Sequence, residues 1–240
     1  MANAITLRKT YSTLLDEVYK LSSLTAVLDG PNELVREGAN ANEILIPKMT
    51  MSGLADYSRQ TGYVAGDVTL EYETKKCTYD RGRMFTVDAM DNIETAGIAF
   101  GRLSGEFLRT QVVPELDAWR LASYAGYAPS GNTVAGAIAD GKAGIAAIRA
   151  GRTAIKNAEA KPETCYLFIS MNLKGMIDDL DTIASKKVME GWAGVIEVPN
   201  GRFFDKVTLT AGGKGGFTTT GGKAIDFLIA DKNAVIQNQK

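Results

Sequence analysis

Histidine is absent from all 240 residues, and that absence removes more chemistry than any other feature of the chain. Ser-His-Asp and Cys-His nucleophilic systems, imidazole proton shuttles and zinc sites with His ligands all need a ring that titrates near neutral pH. Cysteine is nearly absent too. Cys77 and Cys165 are far apart and lack a C-x-x-C context, so neither a thiolate zinc cluster nor a redox motif can form, and two lone thiols fit a reducing compartment. There is no surplus of one charge: 27 Lys and Arg face 28 Asp and Glu, a balance unsuited to gripping a polyanion as the main task. No apolar run approaches the length of a membrane span, and Arg8, Lys9, Asp16, Glu17 and Lys20 stand where a signal peptide would carry its apolar stretch. What remains is a chain with 45% apolar residues, long enough for one or two domains with a real core.

Between Ile5 and Leu21, Tyr11, Leu14, Leu15, Val18 and Tyr19 recur at the spacing of one helix face, opposite Arg8, Lys9, Asp16, Glu17 and Lys20. The turn cluster Asp29-Gly30-Pro31-Asn32 then separates this helix from the next element. Its stripe must therefore find a partner at a distance, as a detachable arm, or fold back on its own core. Glu43 to Met49 is a short apolar run in which Pro47, lacking an N–H, belongs at an edge or strand end. Val68, Leu70 and Tyr72 alternate with Thr69, Glu71 and Glu73, and Phe85 and Val87 resume the alternation beyond Lys75, Lys76, Asp80, Arg81 and Gly82. This predicts a long hairpin of mixed charge, built to lie on a neighbour because a lone hairpin is marginal in water.

Asp91 to Ala125 reads as one long helix with Phe100, Leu103, Phe107, Val112, Leu116 and Trp119 on its apolar face. Pro114 removes one hydrogen bond inside it and predicts a bend near Val113. After the turn at Pro129-Ser130-Gly131-Asn132, Ile138, Ile145, Ile148 and Ile155 keep helical spacing, although Gly141, Gly144 and Gly151 weaken a continuous helix. Tyr166 to Ile169 then predicts a buried strand, with Ser170 capping a helix whose Leu173, Met176, Ile177 and Leu180 share a face. Val195 to Val198, Val207 to Leu209 and Phe227 to Ala230 predict further strands, so the second half reads as a compact α+β domain.

Few patterns carry chemistry. Gly136 to Lys142 has the spacing of a phosphate loop, but Ala143 lacks the hydroxyl that would hold Mg²⁺ and no adequate strand precedes it. The clusters Gly212-Gly213-Lys214-Gly215-Gly216 and Gly221-Gly222-Lys223 read as hairpin turns and a loop, with anion wrapping as the alternative. Asp178, Asp179 and Asp181, with Asp226 and Asp231, are the one candidate carboxylate set, yet adjacent side chains at a helix end do not converge. Trp119 and Trp192 suit packing. No catalytic residue, cofactor site or metal site is assigned.

The segments ITLRKTY…LLDEVYKLSSLTAVLD, ANEILIPKM, SGLADYSRQTGYVAGDV, YDRGRMFTVDAMDN, VVPELDAWRLASYAG and AIDFLIADKNAVIQ, in this order, resemble the major capsid proteins of tailed bacteriophages with the Hong Kong 97-type fold, in phages and prophages of Gram-positive bacteria. The resemblance implies an α+β fold with an N-terminal arm (1–42), an extended hairpin loop (43–90), a peripheral-domain spine helix (91–128) and an axial domain (129–240). It also leads one to expect further peripheral strands past the last residue. It implies a structural subunit, not an enzyme, that assembles into pentamers and hexamers of an icosahedral head around double-stranded DNA. Expected partners are further copies of the chain, a separate scaffolding protein, a maturation protease, a portal and weakly held DNA, with no membrane. The place of action would be the virion, assembled in the bacterial cytoplasm. The subunit interface it implies comprises Tyr11, Leu14, Leu15 and Val18 on the arm and Tyr72, Tyr79, Arg81 and Arg83 on the hairpin. An encapsulin-like nanocompartment shell shares the fold and stands as the alternative. A small enzyme holding a phosphorylated ligand in the Gly-rich segments is the alternative from another class.

Overall fold

The computed structural model describes residues 23–29, 36–37, 43–60, 62–76, 78–85, 105–211, 216–235 and 237. The predicted arm face (Tyr11, Leu14, Leu15, Val18), Phe100, Leu103 and Val87 lie outside them. The fold is mixed α+β with small sheets, and the chain divides into two compact units, Met1–Asp29 with Val87–Val235 and Gly30–Thr86 with Ile236–Lys240.

In chain order the elements are a 3₁₀ turn (Leu24–Leu28), β1 (Arg36–Glu37), β2 (Glu43–Met51), β3 (Val68–Lys76), α1 (Val113–Tyr127), α2 (Gly141–Asn157), β4 (Cys165–Ser170), α3 (Met171–Asp178), α4 (Ile183–Met189), β5 (Gly194–Val198), β6 (Thr208–Leu209), β7 (Phe217–Thr218) and β8 (Phe227–Asp231).

The larger unit is built around β4. This strand pairs in parallel with β5 and antiparallel with β8, giving the order β5-β4-β8. Because strand side chains alternate, Leu167 and Ile169 face one side, where they pack with Ile145 and Ile148 of α2, Leu173 and Ile177 of α3 and Val188 of α4. Phe168 faces the other side and packs with Leu28, Leu121 of α1, Val198, Phe203 and Ala230. Burial on both faces explains why β4 reads as an unbroken apolar run. The capping prediction for α3 holds: the Ser170 hydroxyl accepts from the Leu173 amide at 3.3 Å. Leu173 and Ile177 are buried as expected and Leu180 packs against them, but Met176 is turned out to solvent.

The glycines of α2 do not interrupt it. They let two helices approach: a Cβ on Gly141 would lie 2.2 Å from the Met176 carbonyl oxygen, and one on Gly144 would lie 2.6 Å from Leu173 Cδ1. Gly141→Ala is therefore expected to destabilise this unit by about 1–3 kcal/mol through overpacking against rigid backbone. Urea unfolding followed by circular dichroism checks it, with Gly175→Ala, where a Cβ meets nothing within 4 Å, as the control.

The disruption expected at Pro114 is present. Leu108–Val112 forms a π-helical turn, in which the Val113 amide reaches back to the Leu108 carbonyl, directly before the residue that cannot donate. Beyond it α1 is buried far more completely than a one-faced helix, with Asp117, Arg120 and Glu115 buried alongside Leu116, Ala118 and Leu121.

The second unit holds an antiparallel ribbon. β2 pairs antiparallel with β3 over nine residues, from Glu43 opposite Lys76 to Met51 opposite Val68, and β1 adds a short pairing to Ile44 and Leu45. This corrects the predicted hairpin: the partner of Val68–Tyr72 is Glu43–Met51, and residues 78–85 carry no strand. The upstream pairing wins because it places Pro47, Met49 and Met51 opposite Tyr72, Leu70 and Val68 on one face and Lys48 opposite Glu71 on the other. Pro47 is consequently mid-strand, not at a strand end, but β1 reaches only Ile44 and Leu45, so β2 is locally an edge at the proline.

Candidate functional site

The chemical candidates that fall among the described residues are held in structural roles. At the phosphate-loop spacing, Asp140 caps α2, and its carboxylate accepts from the Ala143 amide at 2.7 Å. The amide such a loop would turn to a phosphate is thus held by an acidic side chain, and the preceding residues 133–139 form no strand. Gly216, Gly221 and Gly222 serve turns, as expected: the Thr210 amide donates to the Gly216 carbonyl at 2.8 Å where β6 and β7 pair, and Gly222 closes onto Thr219 at 3.0 Å. Gly216 has φ +68° and abuts the Glu115 carboxylate, a position that no side chain fits. Residues 212–215 lie outside the described residues.

The carboxylates are separated by the fold. Asp178 pairs with Lys174 on α3, Asp181 pairs with Lys186 at 2.9 Å, and Asp226 and Asp231 stand before and at the end of β8. Lys174, Asp178, Asp181, Lys186 and Glu197 border a groove beside β5, in which both lysines are paired, with Asp178 and Asp181. Among the described residues no three His, Cys, Asp or Glu side chains are grouped to hold a metal ion, and no helix is long and apolar enough to cross a membrane. Cys165 is buried, donates to the Lys161 carbonyl at 3.4 Å, and has its thiol pKa raised by burial and then by Asp231, the reverse of what a nucleophile needs. Trp192 donates to the Val188 carbonyl at 2.9 Å while the Arg152 guanidinium lies 4.7 Å from its ring centroid, a packing role.

The ribbon is different. On its apolar face Met49, Met51, Val68, Leu70 and Tyr72 all stand open, from 47% exposed at Tyr72 to 68% at Met51. The apolar character continues past the strands. The Ser52 and Asp67 backbones extend the ladder by one bond of 3.0 Å. At the tip the Ser58 and Gly62 amides bond reciprocally to each other's carbonyls, with Gly62 at φ +74°. The Tyr57 and Tyr63 rings flank that turn with centroids 5.0 Å apart, and Leu54 and Val64 are fully or largely exposed beside them. The opposite face is mixed: Lys48, Thr50, Thr69, Glu71, Glu73 and Lys75 share it with the half-buried Ile44 and Ile46, and Lys75 lies 2.5 Å from Glu73 and holds that carboxyl below its ordinary pKa.

Of the predicted interface residues, Tyr72 lies on this apolar face, Tyr79 is half-buried, and Arg81 and Arg83 are exposed on the segment after β3. The sequence reading missed Met49, Met51 and the tip residues. Their signal was an alternation through Leu45, Pro47, Met49 and Met51 that the proline masked. It also missed a buried polar node on α1. Asp117, fully buried, accepts from the Ser23 hydroxyl, the Leu24 amide at 3.1 Å, the Thr25 amide at 3.3 Å and the Thr25 hydroxyl at 2.8 Å.

No family model, curated protein sequence or solved structure matches this chain.

Proposed function

We propose that this chain is a shell-forming structural subunit, the major capsid protein of a tailed phage of the Hong Kong 97-type, whose ribbon lies over another copy in pentamers and hexamers of an icosahedral head enclosing double-stranded DNA. The observation that carries the reading is the ribbon's apolar face. Five large apolar side chains in register are held in the open by a hairpin that needs a cover. A subunit whose stability is completed by its neighbours has reason to carry such a face; a monomeric enzyme does not. The order of segments in the sequence supports the same assignment, as do a chain without histidine and carboxylates that are paired or dispersed.

Light scattering on the eluting protein across a concentration series, with negative-stain microscopy of the heavy fraction, tests it. Rings of five or six copies, or closed particles, are expected. A monomer at every concentration would contradict the reading, and particles filled with a protein cargo would favour the nanocompartment form of the shell.

Charge enters at the exposed Arg81 and Arg83. Reversing both to Glu is expected to lower assembly yield at low salt and to have little effect at high salt, because exposed pairs are screened within about 10 Å at 0.1 M salt. Turbidity measured against ionic strength checks this; a yield equal to wild type at low salt would exclude a pairing role for them.

A further inference from the structure

Helix α2 carries Lys142, Arg149, Arg152 and Lys156 and no acidic residue, in a chain whose net charge is −1. Lys142, Arg149 and Lys156 are spaced seven apart. At 3.6 residues per turn they fall within about 40° of one line along the helix, at intervals of about 10 Å. All three are exposed, and among the described residues none of them makes an ion pair. Lys75, Lys174 and Lys186, by contrast, each meet a carboxylate, of Glu73, Asp178 and Asp181. Arg152 is engaged as well, donating to the Glu190 carbonyl and lying over the Trp192 ring. The other side of α2 is fixed, since Ile145 and Ile148 are buried with Leu173, Ile177 and Leu167, and that packing holds the stripe outward. Between the cations the exposed positions include Ala143, Ala146, Ala150 and Ala154, whose small side chains let a rod-shaped partner come close.

We propose that the stripe Lys142, Arg149 and Lys156 of α2 binds the phosphate backbone of double-stranded DNA without reading its sequence. A duplex presents a negative charge about every 1.7 Å of its axis, so a straight row of cations about 20 Å long meets phosphates wherever it is laid down. Such contacts position a surface but carry no sequence information. The stripe lacks what other polyanions need. Single strands are held by aromatic platforms, and α2 has no aromatic residue. A helix that lies on a membrane buries an apolar face in the lipid, whereas Ile145 and Ile148 are already buried in the protein's own core. The whole-chain balance of charge hides this face, because the acidic excess lies elsewhere. The cationic face does not depend on the shell reading; the choice of duplex DNA as its natural partner rests on it.

Fluorescence anisotropy of a labelled random-sequence duplex of about 20 base pairs, titrated with the full chain below the concentration at which it associates, tests the proposal. Three neutralised phosphates predict an affinity that falls roughly fortyfold between about 50 and 200 mM salt, equally for unrelated sequences. The triple variant Lys142→Gln, Arg149→Gln, Lys156→Gln changes only exposed side chains and is expected to bind at least about tenfold more weakly at the lower salt, with most of the salt dependence gone. Lys75→Gln, Lys174→Gln, Lys186→Gln removes the same charge from lysines that are already paired and is expected to bind within about twofold of wild type. Equal losses in the two triple variants, or a polyglutamate peptide that competes as well as the duplex, would overturn the assignment. Light scattering on the same protein separates this face from the shell reading: particles without DNA binding would overturn the stripe alone, and stripe-dependent binding by a chain that stays monomeric would uphold it and remove the shell.

Discussion

Phe168→Ala is expected to destabilise the larger unit by about 3–5 kcal/mol, the range for removing a fully buried aromatic side chain when its surroundings cannot collapse. Phe168 has no exposed surface and sits on the middle strand of the sheet, enclosed by Leu28, Leu121, Val198, Phe203 and Ala230 from four different parts of the chain. Val198 and Ala230 among them are held by the ladders of β5 and β8, which limits how far the cavity can close. With total stabilities of about 5–15 kcal/mol for folded domains, the loss takes a large share of what the unit has. Guanidinium unfolding monitored by far-ultraviolet circular dichroism gives the value. A loss under about 1 kcal/mol would mean that the Phe168 side of the sheet is not a packed core.

Met49→Asp with Leu70→Asp is expected to abolish self-association. The two residues are directly opposite in the β2–β3 register, at the centre of the open face. Burying each stabilises an interface by about 1.5–3 kcal/mol, so losing both weakens association by roughly two to four powers of ten even before the cost of burying carboxylates is counted. Neither side chain belongs to the core clusters of the larger unit, so its unfolding midpoint is expected to stay at the wild-type value. Sedimentation velocity of wild type and variant at matched concentration measures the first part. Assembly of the variant at wild-type concentrations would remove the ribbon from the interface.

The contrast between these two regions shows what the sequence made legible. Strand β4, the Ser170 cap, β5, β8 and the turns at Gly216 and Gly221 follow local rules, a short apolar run between polar ends or a side chain three residues before its amide, and they are where those rules place them. Three features depended on partners distant in sequence and were read differently. The pairing of Val68–Tyr72 went to a strand upstream across a 16-residue connection, because register energy is summed over the whole ladder and one proline did not outweigh eight other pairs. The glycines of α2 looked like helix weakeners, but their lack of a side chain is what allows Met176 and Leu173 to come so close. Asp117 and Arg120 carried no signal in the helix pattern. The return of residues 23–29 onto α1 brings them partners in the interior.

The same logic separates the candidate surface from the discarded chemical sites. A P-loop or a carboxylate triad is read from spacing, and the spacing here is undone by a capping Asp140 and by lysines that pair the acids locally. An assembly surface has no such spacing. It becomes visible only when a register puts Met49, Met51, Val68, Leu70 and Tyr72 on one face with much of their surface exposed.

Lysine cross-linking on an equal mixture of ¹⁴N- and ¹⁵N-labelled protein tests most directly whether the ribbon is covered by a second copy, since Lys48, Lys75 and Lys76 lie along its two strands. Ribbon cross-links joining a light peptide to a heavy one, growing with concentration and lost in the Met49→Asp, Leu70→Asp variant, are the predicted result. Ribbon cross-links confined to peptides of a single label at every concentration would contradict the account.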